Sequence, residues 1–137
     1  MCRIIRLYNL YVEALERALK KLDIKQTEWA VLVTVRRKGK DEGIPIKVIL
    51  QEVLLTSGAM TNLVHRLIKA DYLEKRKDEQ DKREVRVSLT AKGVDLVDRA
   101  MEIQAGVERR FVESLDRSER TQLEKLLKKM VLDVDYY

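Results

Sequence analysis

The sequence predicts a mainly α-helical fold carrying one small β-hairpin. Apolar residues recur at steps of three and four along most of the 137 residues, the spacing of one helix face. The segment from Val85 to Leu89 changes to a period of two, as a half-buried strand does. Helix breakers are scarce: there is one proline, Pro45, and the five glycines include Gly39 and Gly43 beside it. The hydrophobic fraction of 45% is enough for a core. The charged fraction of 37% is interspersed with apolar positions, which suits amphipathic helices rather than disorder.

The elements follow in order. Ile4, Tyr8, Tyr11, Leu15, Leu19 and Leu22 form one stripe, so a helix runs from Ile4 to Leu22 and breaks at Asp23 and Ile24. A second helix spans Gln26 to Arg37, with Trp29, Ala30, Leu32 and Val33 inward. Lys38 to Gly43 is a polar loop. Pro45 suits the first turn of a short third helix through Val48, Leu50 and Val53. After a turn at Leu55 and Thr56, a fourth helix runs to about Ala70, with Thr56 or Ser57 as its N-cap.

Leu73 to Lys77 and the alternating Val85, Val87 and Leu89 are two strands, and Asp78 to Arg83 is the charged tip between them. Thr90 is the N-cap of a long helix with apolar Val94, Val97, Met101, Val107, Phe111 and Leu115. A last helix starts at Asp116, where Glu119 completes a capping-box variant. Its apolar face is Leu123, Leu126, Leu127, Met130, Val131 and Val134.

A short helix, a turn, a polar-faced helix and a charged hairpin make a winged helix–turn–helix layout. The expected organisation is a single domain, 1–137. Its winged lobe is 24–90, flanked by terminal helices in 1–23 and 91–137 that pair with a second copy, because so short a chain cannot hide both terminal stripes.

Several function classes are disfavoured. The single cysteine, Cys2, rules out an intrachain disulfide. No apolar run approaches the roughly 18 residues of a membrane span. Met1 to Asn9 lacks the apolar core and cleavage site of a signal peptide, so a cytoplasmic location without membrane association is expected. The one histidine, His65, has no second histidine or cysteine pair to complete a catalytic or metal site, and there is no glycine-rich phosphate loop. An enzyme is not expected, nor is a metal or cofactor. The net charge of +5 permits a nucleic-acid partner.

The fourth helix points to that partner. Met60, Leu63, Val64, Leu67 and Ile68 fall on one arc. Thr61, Asn62, His65, Arg66 and Lys69 fall on the other, offering donors, acceptors and positive charge without an acid. Those groups suit base edges and phosphates in a major groove. Ser57, Gly58 and Ala59 add little bulk at the helix start, where a phosphate can approach. A solvated face would have the same pattern on this helix alone. At the hairpin tip Lys82 and Arg83 sit beside Asp81, and an arginine at the end of a rigid ribbon can enter a minor groove.

The runs SGAMTNLVHRL, from Ser57 to Leu67, and DEQDKREVRVSLTAKG, from Asp78 to Gly93, resemble MarR-family transcriptional regulators. In that family the wing reads acid, two residues, Asp, any residue and Arg, then a strand ending in Leu-Thr with Gly three residues on. Asp78, Asp81, Arg83, Leu89, Thr90 and Gly93 fit it. Two departures stand out: Asp71-Tyr72-Leu73 replaces a common Gly-Leu-Val, and Lys25 stands where Ser or Thr often caps. Asp tolerates the left-handed conformation that such a turn needs.

The resemblance implies a ligand-responsive repressor that binds double-stranded DNA at a pseudo-palindromic operator as a homodimer. It implies Arg83 in the minor groove, and Asp81 fixing the wing through an ion pair with Arg76 or another basic neighbour. It also implies a small aromatic or phenolic effector bound between the dimer helices and the DNA-binding lobe. Tyr8, Tyr11 and Trp29 are the candidate lining residues, though they equally suit the core or the dimer seam. The alternatives are a winged-helix protein–protein module that binds no DNA, or a redox sensor acting through the Cys2 thiol.

Overall fold

The computed structural model describes residues 2–39, 43–53, 55–77 and 85–134. The chain order is α1 (Cys2–Leu19), a 3-10 turn (Lys20–Leu22), α2 (Gln26–Gly39), β1 (Ile44–Pro45), α3 (Ile46–Glu52), α4 (Ser57–Lys69), β2 (Leu73–Lys77), β3 (Val85–Leu89), α5 (Ala91–Phe111) and α6 (Arg117–Val134). The fold is mainly helical with a small antiparallel sheet, as expected. One strand was not anticipated. Pro45 does not open α3 but pairs with Arg86 at the sheet edge and serves as the N-cap of α3. A residue without an N–H is tolerated at an edge, and the short strand leaves no periodic signal in sequence.

The sheet order is β1-β3-β2. Leu73 pairs with Leu89, and Lys77 with Val85. Gly43 enters the sheet at φ 71, and a Cβ there would stand 2.6 Å from the Val87 carbonyl oxygen. Only glycine meets both demands at no steric cost.

Burial along β3 departs from strict alternation. Val85, at the outer end of the ribbon, is 45% exposed, whereas Val87 and Ser88 at its base are both buried. Ser88 is satisfied there: its hydroxyl accepts from Arg76 Nε at 2.9 Å and donates to Glu74 Oε1 at 3.1 Å. Distance from the helical lobe, more than the pleat, decides which side chains are covered.

Helix α2 is the hub, touching α1, α3, α4, α5 and the sheet. Its buried residues are Trp29, Val31, Leu32, Thr34, Val35 and Gly39, while Ala30 and Val33 are half-buried. A helix enclosed on several sides buries a wide arc rather than one stripe. Similarly, Ile49 is the fully buried residue of α3, flanked by half-buried Val48 and Leu50. Helix α5 buries Leu96, Val97 and Ala100, whereas the expected Met101 is 49% exposed.

Two polar caps match expectation. Gly93 N donates to Thr90 Oγ1 at 3.0 Å. Asp116 N donates to Glu119 Oε2 at 2.8 Å while Glu119 N donates to Asp116 Oδ1 at 2.9 Å, a reciprocal capping box. Gly93 is required for packing as well, because a Cβ there would overlap the Tyr72 carbonyl oxygen.

Candidate nucleic-acid interface

Helix α4 is built to hold one face still and leave the other bare. Thr56 caps its start, accepting from Ala59 N at 3.4 Å. Met60, Leu63, Val64 and Leu67 are buried against the lobe. At the far end Asp71 adopts φ 62, the left-handed turn that its side chain tolerates. The Thr90 hydroxyl donates to Asp71 O at 2.6 Å, and Lys92 Nζ donates to Ala70 O at 2.8 Å from the first turn of α5. The Lys92 ammonium also lies 4.7 Å from the centroid of the Tyr72 ring. Helix α5 thus fixes the C-terminus of α4.

Ser57, Gly58, Ala59, Thr61, Asn62, His65, Arg66 and Lys69 are all exposed. The structure brings all eight expected contact residues onto one acid-free arc. A Cβ at Gly58 would meet nothing within 4 Å, so that glycine is not required by packing. Thr61 Oγ1 donates to Ser57 O at 3.0 Å, which leaves its oxygen able to accept.

Sequence reasoning passed over Glu28, in the first turn of α2. Its Oε1 accepts from Arg66 NH2 at 2.6 Å, and its Oε2 accepts from Lys25 N at 2.9 Å. Lys25 has no capping side chain, so the helix is capped backwards from Glu28. A glutamate three residues after a poor N-cap residue was the available signal.

The wing tip residues Asp81, Lys82 and Arg83, and the expected Asp81–Arg76 ion pair, lie outside the described residues. The wing's root is described. Arg76 NH2 sits 3.0 Å from Glu74 Oε1. The hydrogen bond from Arg76, with a second from Ser88, holds the Glu74 carboxyl below the usual carboxylate range. Arg86 NH2 donates to Gly43 O at 2.9 Å, tying β3 to the loop before β1.

The expected ligand-lining aromatics separate. Tyr8 is 62% exposed on the outer half of α1. Tyr11 and Trp29 join one network through α5. Trp29 Nε1 donates to Gln104 Oε1 at 2.7 Å, Gln104 Nε2 donates to Glu108 Oε1 at 2.7 Å, and the Tyr11 hydroxyl donates to the same oxygen at 3.3 Å. The Tyr11 ring meets Phe111 edge-on at 5.6 Å. Burial and then the Glu108 charge push the Tyr11 phenol up to about 12. A cleft of about 630 Å³ lies nearby, lined by Ala18, Lys21, Ile103, Gly106 and Arg120 among others, and none of the three aromatics lines it. Cys2 is exposed in the first turn of α1. Among the described residues no acidic, histidine or cysteine cluster could hold a metal, and no helix is long and apolar enough to cross a membrane.

A three-stranded antiparallel sheet packed with a helix that has one buried apolar face and one exposed polar face defines a winged-helix protein. Residues 14–100 match the family described as Transcriptional regulator SarA/Rot. The HTH-type transcriptional regulator PecS of Dickeya dadantii is 29% identical over 122 residues, covering 89% of this chain and 74% of PecS. SarZ of Staphylococcus aureus, also an HTH-type transcriptional regulator, is 33% identical over 93 residues, covering 68% of this chain and 61% of SarZ. The chain therefore spans less than two thirds of SarZ's length. The crystal structure of a cysteine-to-serine mutant of MarR from E. coli complexed with operator DNA superposes with a TM-score of 0.79 at 25% identity, covering 93% of this chain and 89% of that one. The chain belongs to the SarA/Rot family of transcriptional regulators and has the MarR-type winged-helix fold, as the wing and recognition-helix motifs implied. Regulators of this family are not enzymes.

Proposed function

We propose that this regulator binds a pseudo-palindromic DNA operator as a homodimer, with α4 in the major groove and Arg83 of the wing in the minor groove. The observation that carries the reading is the exposed, acid-free arc of α4 from Ser57 to Lys69, held from behind by four buried apolar residues. The MarR structure solved with operator DNA supports it. The second copy would cover the apolar residues exposed on the terminal helices, among them Ile5 and Leu7 on α1 and Leu126 and Val131 on α6. Release by a small aromatic or phenolic effector, repression as the sign of regulation, and action in the cytoplasm belong to the same reading.

Binding to duplex DNA measured across a salt series tests it. Each neutralised phosphate contributes a slope of about −0.9 to log K against log salt, so affinity should fall steeply. Arg83→Ala should weaken binding by about 1–3 kcal/mol if the wing enters a groove. Absence of binding even at low salt would instead indicate a protein–protein module.

A further inference from the structure

We infer that Glu28 is a specificity-determining positioning residue, orienting Arg66 on the DNA-facing arc of α4. The inference rests on the DNA-binding reading above and concerns a residue outside the recognition helix. Both oxygens of the Glu28 carboxylate are engaged, one by Lys25 N and the other by Arg66 NH2 at 2.6 Å. The Glu28 side chain is only 16% exposed, whereas that of Arg66 is 57% exposed. A largely covered anion, itself fixed by the start of α2, thus holds a guanidinium that still projects from the surface.

That geometry has two consequences for DNA. A free arginine spreads over many rotamers, whereas one held by a carboxylate presents its remaining N–H donors in a preset fork. A preset fork matches the paired O6 and N7 acceptors of guanine, which demand direction, better than it matches phosphates, which mainly demand charge. The carboxylate also places negative charge near the duplex, which weakens sequence-independent attraction. Both effects raise the ratio of specific to non-specific binding. Glu28 therefore favours discrimination over raw affinity.

The test uses the full-length chain with two probes: a duplex selected by the wild type from a random-sequence pool, and a shuffled duplex of the same composition. Glu28→Gln keeps a carbonyl oxygen for Lys25 N and removes the charge. It should lower the ratio of selected to shuffled affinity about tenfold, since a good arginine–guanine pair is worth one to two such factors. Affinity for the shuffled duplex should hold or rise. In an Arg66→Ala background the same change should leave the ratio where it is. Equal weakening on both duplexes would reduce Glu28 to a helix cap, and an undiminished effect without Arg66 would equally overturn the inference. If Glu28→Gln unfolds, Arg66→Lys leaves the cap intact and removes the fork, and an unchanged ratio there overturns it too. A wild type that prefers no duplex would sink the DNA-binding reading first, before any variant is compared.

Discussion

The central lobe and the terminal helices carry the same kind of apolar stripe, yet the lobe buries it whereas α6 and the outer half of α1 leave theirs exposed. Leu32, Ile49, Met60, Val64 and Val87 in the lobe are almost wholly inaccessible. In α6 Leu123 is half-buried, while Leu126, Leu127, Met130, Val131 and Leu132 are about half exposed or more, from 47% to 60%. The boundary runs through α1 itself: Leu15 and Leu19 are buried, and Ile4 and Tyr8 on the same stripe are not. Periodicity therefore reports that a face is apolar, not what covers it. An exposed row of this kind is the feature from which the second copy is proposed.

Substitutions in the two regions should behave differently, and the largest effect belongs in the lobe. Leu32→Ala removes a fully buried side chain from the hub helix, and should cost about 2–5 kcal/mol of unfolding free energy in urea. A cost below about 1 kcal/mol would mean that α2 is not the hub. Leu127→Glu places a charge on the exposed stripe of α6. It should leave the helical circular-dichroism signal intact and raise the dimer dissociation constant about 100-fold, a change of about 3 kcal/mol. Sedimentation over a concentration series measures this directly. A dimer unaffected by Leu127→Glu would move the proposed seam away from α6.

Thr90 joins the two regions, so its removal sharpens the comparison. The hydroxyl accepts from Gly93 N and donates to Asp71 O, connecting the start of α5 to the turn after α4. Thr90→Ala should cost about 1 kcal/mol in thermal or urea unfolding, the usual worth of an N-cap. A neutral outcome would show that Lys92 and the backbone suffice to fix the end of α4.

How much of this was legible depended on whether the determining contact was local. The capping box at Asp116, the Thr90 cap, the left-handed turn at Asp71 and the two faces of α4 rest on residues a few positions apart, and all could be read in sequence. The strand at Ile44–Pro45 could not, since two residues carry no period and their partners, Val87 and Arg86, lie far along the chain. Strict alternation with Val87 and Leu89 would turn Ser88 outward, yet it is buried, because alternation ignores what packs on a strand's base. Glu28 was missed for the same reason: its cap is local, but its partner Arg66 is 38 residues away. Three aromatics on amphipathic helices do not reveal which of them share a partner, as Tyr11 and Trp29 do through α5. Gln104 and Glu108, which link Tyr11 to Trp29, have no sequence signature of that role.

The smallest expected effect tests that link between α1 and α5. The Tyr11 phenol is raised from its ordinary value of 10.0 to about 12, first by burial and then by Glu108. A group whose folded-state pKa is raised favours the fold while protonated. Its contribution is thus fully present below about pH 10 and is lost as pH rises towards 12. Because the ring is partly solvated, the loss should be about 1 kcal/mol or less after allowing for screening. Urea unfolding at pH 9 and at the highest pH where the chain stays folded should show a steeper decline for wild type than for Tyr11→Phe, which cannot ionise. Parallel declines would mean that the phenolate is tolerated, and that Tyr11 joins α1 to α5 through its contact with Phe111 rather than through Glu108.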